Sequence, residues 1–141
     1  MDFILHAYCG IYCGACPILL KTKSGTSTEK CYGCKSEQTV DYCTSCGIKG
    51  CATQKGFEFC LECSDLNTCE QMLKFVKDTH WLNQQGVLKN MELIQCIGLS
   101  NWLKSQDNRW RCKNCGLSHS WFDEICPQCG RTVASCKEVG I

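Results

Sequence analysis

The sequence predicts a small α+β fold organised by bound metal rather than by a large apolar core. Three observations carry that prediction. Cysteine takes 17 of 141 positions, above the level that marks a cross-linked scaffold. Most of these cysteines stand in C-x-x-C pairs, each of which sets two thiolates a few ångströms apart as half of a tetrahedral site. With cysteine set aside, apolar residues make up only about a third of the chain. A small domain so poor in core needs disulfides or metals.

Metal is the better reading. The start, MDFILHAYCG, has Asp2, no basic region and only a short apolar run, so it does not read as a secretory signal. A reducing, cytoplasmic setting is therefore expected, where clustered cysteines are metal ligands or redox groups. The cysteine count is odd, and no apolar run approaches the roughly 18–20 residues of a membrane span.

Along the chain, residues 1–83 read as a cysteine-rich multi-metal domain. Its opener, YCGIYCGACP, supplies Cys9, Cys13 and Cys16, and Pro17 suits the start of a helix that runs to about Gly25. Residues 31–63 show no sustained periodicity and read as turns with at most very short strands. Helical signal resumes at NTCEQMLKFVKDTHWL, where Asn67 and Glu70 form a capping-box pattern and Cys69, Met72, Leu73, Val76 and His80 share a face. Gly86 would close that helix. Residues 84–107 read as a helical connector packing on the first domain, with a helix from Val87 to Gly98 and a short one, NWLKSQ, capped by Ser100.

Residues 108–132 hold Cys112, Cys115, Cys126 and Cys129 as two C-x-x-C-G knuckles ten residues apart. That is the pattern of a zinc ribbon: two turns on a short hairpin around one metal. Trp110, Trp121 and Phe122 are expected to cover the hairpin face, with His119 facing water. Residues 133–141 form a tail.

Pairing neighbours gives two further four-cysteine sites: Cys13 and Cys16 with Cys31 and Cys34, and Cys43 and Cys46 with Cys60 and Cys63. Spacing leaves interleaved pairing open. Cys9, Cys51 and Cys69 are either buried thiols or a third N-terminal site completed by His6, His80 or solvent. Cys96 and Cys136 stand alone and read as ordinary thiols.

The opener, KCYGC, CTSCGIKGCA and GFEFCLECSDLNTC together resemble an uncharacterised family of cysteine-rich proteins common in anaerobic bacteria and archaea. The resemblance spans residues 8–130 and implies metal binding through these cysteines, with no established reaction.

The leading function is a zinc protein with three or four structural ions and a protein-interaction surface. No phosphate-binding glycine loop, nucleophile elbow or H-E-x-x-H helix suggests an enzyme. An iron–sulfur protein in electron transfer or redox sensing is the alternative, since four cysteines serve clusters equally well. The opener shares its three-cysteine spacing with radical S-adenosylmethionine enzymes, which are far longer chains. A nucleic-acid module is a third reading, from Arg109, Trp110, Arg111, Lys113 and Arg131 around the ribbon. The charge argues against it: +1 overall, falling to about −5 once twelve thiolates hold three Zn²⁺ ions.

Overall fold

The computed structural model describes residues 2–137, so the predicted tail beyond residue 137 lies outside the described residues. Helix α1 (Pro17–Ser24) begins on proline, whose missing N–H costs nothing in a first turn, and it buries Leu19. Gly25 ends it by donating its amide to the Lys21 and Thr22 carbonyls. Two helices follow where the sequence predicts only turns and short strands: α2 (Asp41–Thr44) and α3 (Gly47–Lys55). The pattern in α3 is Ile48 and Ala52, four apart and both buried, a one-sided face that the glycines and Cys51 around it obscure.

Helix α4 (Glu70–Lys77) buries Met72 but starts and stops differently from the expectation. Leu66–Thr68 form a single 3₁₀ turn, Cys69 precedes the helix, and no side chain caps it. It ends nine residues short of Gly86. Asp78 takes up extended backbone, and its carboxylate accepts the His80 amide at 2.9 Å, a turn that competes with helix. His80 is thereby left outside the helix and in solvent. Helices α5 (Val87–Ile97) and α6 (Leu99–Arg109) pack on each other across Gly98. Helix α6 is longer than the predicted NWLKSQ and begins at Gly98 rather than on a Ser100 cap.

Strand structure among the described residues is confined to three isolated antiparallel bridges, His6 with Tyr12, Arg111 with Ser118 and Ile125 with Thr132. The fold is therefore helical with little strand, and the β part of the expected α+β is confined to these bridges among the described residues. Each tail bridge closes its own small turn, so the predicted common hairpin is two separate ones. No described helix is long and apolar enough to cross a membrane.

Two apolar clusters flank the opener. The first joins Ala7, Cys9, Cys13 and Leu19 to Ile48, Met72, Val87 and Met91. The second joins Tyr12 and Ala15 to Phe59, Ile94, Trp102, Trp110, Trp121 and Cys136. Trp110 and Trp121, expected over a ribbon hairpin, instead dock the tail onto the opener. The Trp121 amide donates to the Ala15 carbonyl at 3.2 Å, and Tyr12 meets Trp102 edge-on at 6.0 Å. A short hairpin has too little surface to cover an indole, whereas the opener and α6 do.

Gly33 fixes the N-terminal strand-like segment. It has φ of +115°, and a side chain there would run into the Ile4 carbonyl, next to the bond from the Ile4 amide to the Tyr32 carbonyl. Gly33→Ala is therefore expected to destabilise by at least the 1–3 kcal/mol typical of a strained backbone, roughly, with the clash added. Gly50→Ala, inside α3 with nothing within 4 Å of the new methyl, is expected to be neutral or stabilising by about 0.5–1 kcal/mol. Thermal melts of the two variants check both signs.

Candidate metal centre

The tail quartet is built by two matching turns. In the first, Cys112 donates its amide to the Leu117 carbonyl at 2.9 Å and accepts the Gly116 amide at its own carbonyl at 2.9 Å. In the second, Cys126 does the same with Arg131 at 2.7 Å and Gly130 at 3.0 Å. Gly116 and Gly130 sit at φ of 79° and 78°, the left-handed conformation that lets the chain fold back behind each cysteine pair.

These turns bring the sulfurs of Cys112, Cys115, Cys126 and Cys129 all within 4.8 Å of one another. Cys112 and Cys129 are 3.5 Å apart, as are Cys115 and Cys126. Metal–sulfur bonds of about 2.3 Å in a tetrahedron put sulfurs about 3.8 Å apart, so the donor set fits a four-thiolate ion. One thiol of each pair is buried and the other partly exposed.

The electrostatics favour thiolate at two of the four. Backbone amides of Cys115 and Asn114 directed at Cys112 lower its pKa. The Arg131 amide, helped by the Asn114 side chain, lowers Cys129 to about 6. Cys115 accepts the Leu117 amide, yet burial and the three neighbouring thiols push it to about 11. It is the last of these to give up its proton.

Several of the surrounding basic and aromatic residues are engaged within the protein, while Arg131 is exposed. Trp110 is buried and donates its indole N–H to Gln106 at 3.0 Å. Arg111 forks onto Asp107 with both bonds at 3.0 Å and also donates to the Gly116 carbonyl at 2.8 Å. Lys113 donates to the Asn108 carbonyl. His119, expected in water, is buried against Trp110 with Nδ1 2.9 Å from the Ser120 carbonyl. The docking of Trp110 onto the second cluster carries His119 inward, which a loop position in sequence gives no means to foresee.

The N-terminal cysteines are looser. Among the described residues, the tail quartet is the one group of three or more such ligands drawn within 4.8 Å. Cys9 and Cys13 are buried in the first cluster, and burial pushes both thiols well up, with Cys34 among the thiols adding to it. Cys43 is raised to about 12 by burial and then by Cys34, Cys31, Cys16 and Cys46. Cys60 is raised to about 11 by burial and then by Cys51, Cys69, Cys63 and Cys46. Cys43 thus has thiols of the first two pairs around it, Cys60 has Cys51, Cys63 and Cys69, and Cys46 neighbours both. Cys51, Cys60, Cys63 and Cys69 line one cavity between α3 and α4. The cavity adds Cys51 and Cys69 to the Cys60 and Cys63 pair, a neighbourhood that equal spacings in sequence do not reveal.

His6 and His80 have carboxylate neighbours. His6 contacts Glu58 at 3.2 Å, and Lys35 reaches the same carboxylate at 2.8 Å. Burial and Lys35 lower the His6 pKa. His80 lies in solvent near Asp78. Cys96 is exposed, while Cys136 is buried and donates its amide to the Trp121 carbonyl at 2.8 Å.

Residues 5–74 match the model of a family described as a protein of unknown function, DUF3795. This stretch is a DUF3795 domain. It contains all eleven N-terminal cysteines and ends within α4, so the tail quartet lies beyond the matched residues. No curated protein and no solved structure matches the chain.

The shifts at the quartet set a pH dependence. A depressed pKa means that the Cys129 thiolate is present above about pH 6 and is lost as pH falls through that value. In tail turns that keep their fold after metal is withdrawn, Cys129 is expected to alkylate at neutral pH, ahead of Cys115, which reacts only in strong alkali. Mass-spectrometric mapping of alkylation against pH checks this order.

Proposed function

We propose that the protein binds zinc structurally, with one ion in the tail quartet and others in the DUF3795 domain, and that its surface serves as a protein-interaction module. The tail quartet carries this reading. Four cysteines, two of them aided by backbone amides, make a closed site with no position left for a substrate. Zn²⁺ has no redox chemistry, and a four-thiolate site supplies folding energy rather than catalysis. A structural zinc contributes about 10–16 kcal/mol, comparable to the roughly 5–15 kcal/mol total stability of a domain. Leu93 and Ile97, one turn apart on α5, are both exposed, and this face is where a protein partner would find apolar contact.

An iron–sulfur centre in the DUF3795 domain is the second reading. Cys9 and Cys13 lie among Leu19, Val87 and Met91, and apolar cover of this kind tunes a cluster's potential. A nucleic-acid role draws less support, because Trp110 and Arg111 are committed to Gln106 and Asp107.

Protein purified without oxygen is expected to carry zinc without iron or acid-labile sulfide, and to be colourless. Iron with matching sulfide would transfer the DUF3795 domain to the second reading. Replacing Cys115 and Cys126 together by serine is expected to remove one zinc per chain. It should also shift tryptophan emission to the red, because Trp110 and Trp121 lose the anchor that holds them against the opener.

A further inference from the structure

The cavity between α3 and α4 is a second place where four thiols converge. It has a volume of about 130 Å³ and is lined by Cys51, Cys60, Cys63 and Cys69 together with Lys55 and Met72. Three segments deliver the sulfurs. Cys51 projects from α3, one turn before Lys55. Cys60 and Cys63 bound a tight turn closed by the Cys63 amide on the Cys60 carbonyl at 3.0 Å. Cys69 is the residue on which α4 starts.

The frame that holds these segments is specific. The Cys60 amide donates to the Tyr8 carbonyl at 2.8 Å, pinning the turn to the opener. Glu62 reaches back to the amide of Phe59 at 2.9 Å and sets the entry to the turn. The Leu66 amide bonds the Cys63 carbonyl at 3.3 Å, and the Cys69 amide bonds the Leu66 carbonyl at 3.4 Å. Successive turns thus carry the chain from the third thiol to the fourth around one cavity. Ile48 and Met72, both buried, close its inner side.

We propose that Cys51, Cys60, Cys63 and Cys69 together bind one divalent ion of the zinc class as a four-thiolate site separate from the tail quartet. The proposal rests on the zinc-protein reading above and assigns one of its N-terminal ions to named residues. A four-thiolate divalent site carries two net negative charges, and Lys55 supplies a counter-charge with its ammonium 3.9 Å from the Cys63 sulfur. The sulfurs are more widely spread than those of the tail. Moving a cysteine between staggered rotamers shifts its sulfur by roughly 3 Å, so side-chain rotation supplies the closure. A disulfide across Cys60 and Cys63 would use only two of the four and leave Cys51, Cys69 and Lys55 without a role.

The test uses the full chain and zinc itself. The double variant Cys51→Ser with Cys69→Ser is expected to lose one zinc per chain relative to wild type, and adding Cys60→Ser to lose no more. Cys43→Ser with Cys46→Ser is expected to lose a different ion, so that its loss adds to that of Cys51 and Cys69. An unchanged zinc content in the Cys51/Cys69 variant overturns the proposal, as does a shared loss between Cys43 and Cys60. Lys55→Gln is expected to weaken this ion about two- to fivefold in chelator competition while leaving the tail ion unmoved.

Should the double variant not fold, wild-type protein gives the answer directly. Under stepwise chelation with alkylation mapping, Cys51, Cys60, Cys63 and Cys69 are expected to become reactive in one step. Reactivity of Cys51 and Cys69 before any metal leaves, with Cys60 released alongside Cys43, overturns the proposal. Wild-type protein that contains no zinc at any site, tail included, contradicts the zinc-protein reading instead.

Discussion

The structure turns on the five residues from Tyr12 to Cys16, which are shared by two cores. Cys13 belongs to the cluster built with Leu19, Met72 and Met91, while Tyr12 and Ala15 belong to the cluster built with Trp102, Trp110 and Trp121. Neither cluster is large, and each takes cysteine as a member. Burial of Cys9 and Cys13 drives their thiols far above the ordinary range, so without metal they are neutral and contribute only as small apolar groups. Were they to ligate metal, as the proposed function has it for the N-terminal cysteines, the same sulfurs would become charged ligands whose charge is neutralised at bonding distance. Whether the opener is a weak core or a strong anchor depends on that single change of state.

The tail is tied into this arrangement at its middle rather than at its ends. Trp121 bonds Ala15 and is itself bonded by Cys136, while Trp110 lies against α6. The tail quartet is thus mechanically coupled to the opener: order at Cys112 and Cys126 holds the two indoles in place, and the indoles cover Tyr12 and Ala15. A chain with so few aliphatic residues gains more from this use of tryptophan than from any one helix pair.

Legibility from sequence followed the range of the interactions. The tail quartet is readable because both pairs and their glycines lie within 19 residues and the geometry is local. Helices α1 and α5 are readable from Pro17 and from the spacing of Val87, Met91 and Ile94. Helix α3 is hidden because cysteine and glycine mask the Ile48 and Ala52 face. The early stop of α4 depends on the Asp78 side chain bonding backbone two residues on, a local competitor that apolar periodicity does not register. The burial of His119 and the grouping of Cys51 and Cys69 with Cys60 and Cys63 are tertiary outcomes. Spacing alone places those residues in several arrangements that are equally consistent.

We propose that metal–thiolate bonds, rather than apolar packing, hold this fold together. The most direct measurement is circular dichroism of the full chain, recorded as bound metal is withdrawn by a chelator under reducing conditions and then returned. The helical signal is expected to collapse as metal leaves and to recover when it is restored. A native spectrum retained by fully demetallated protein would contradict it.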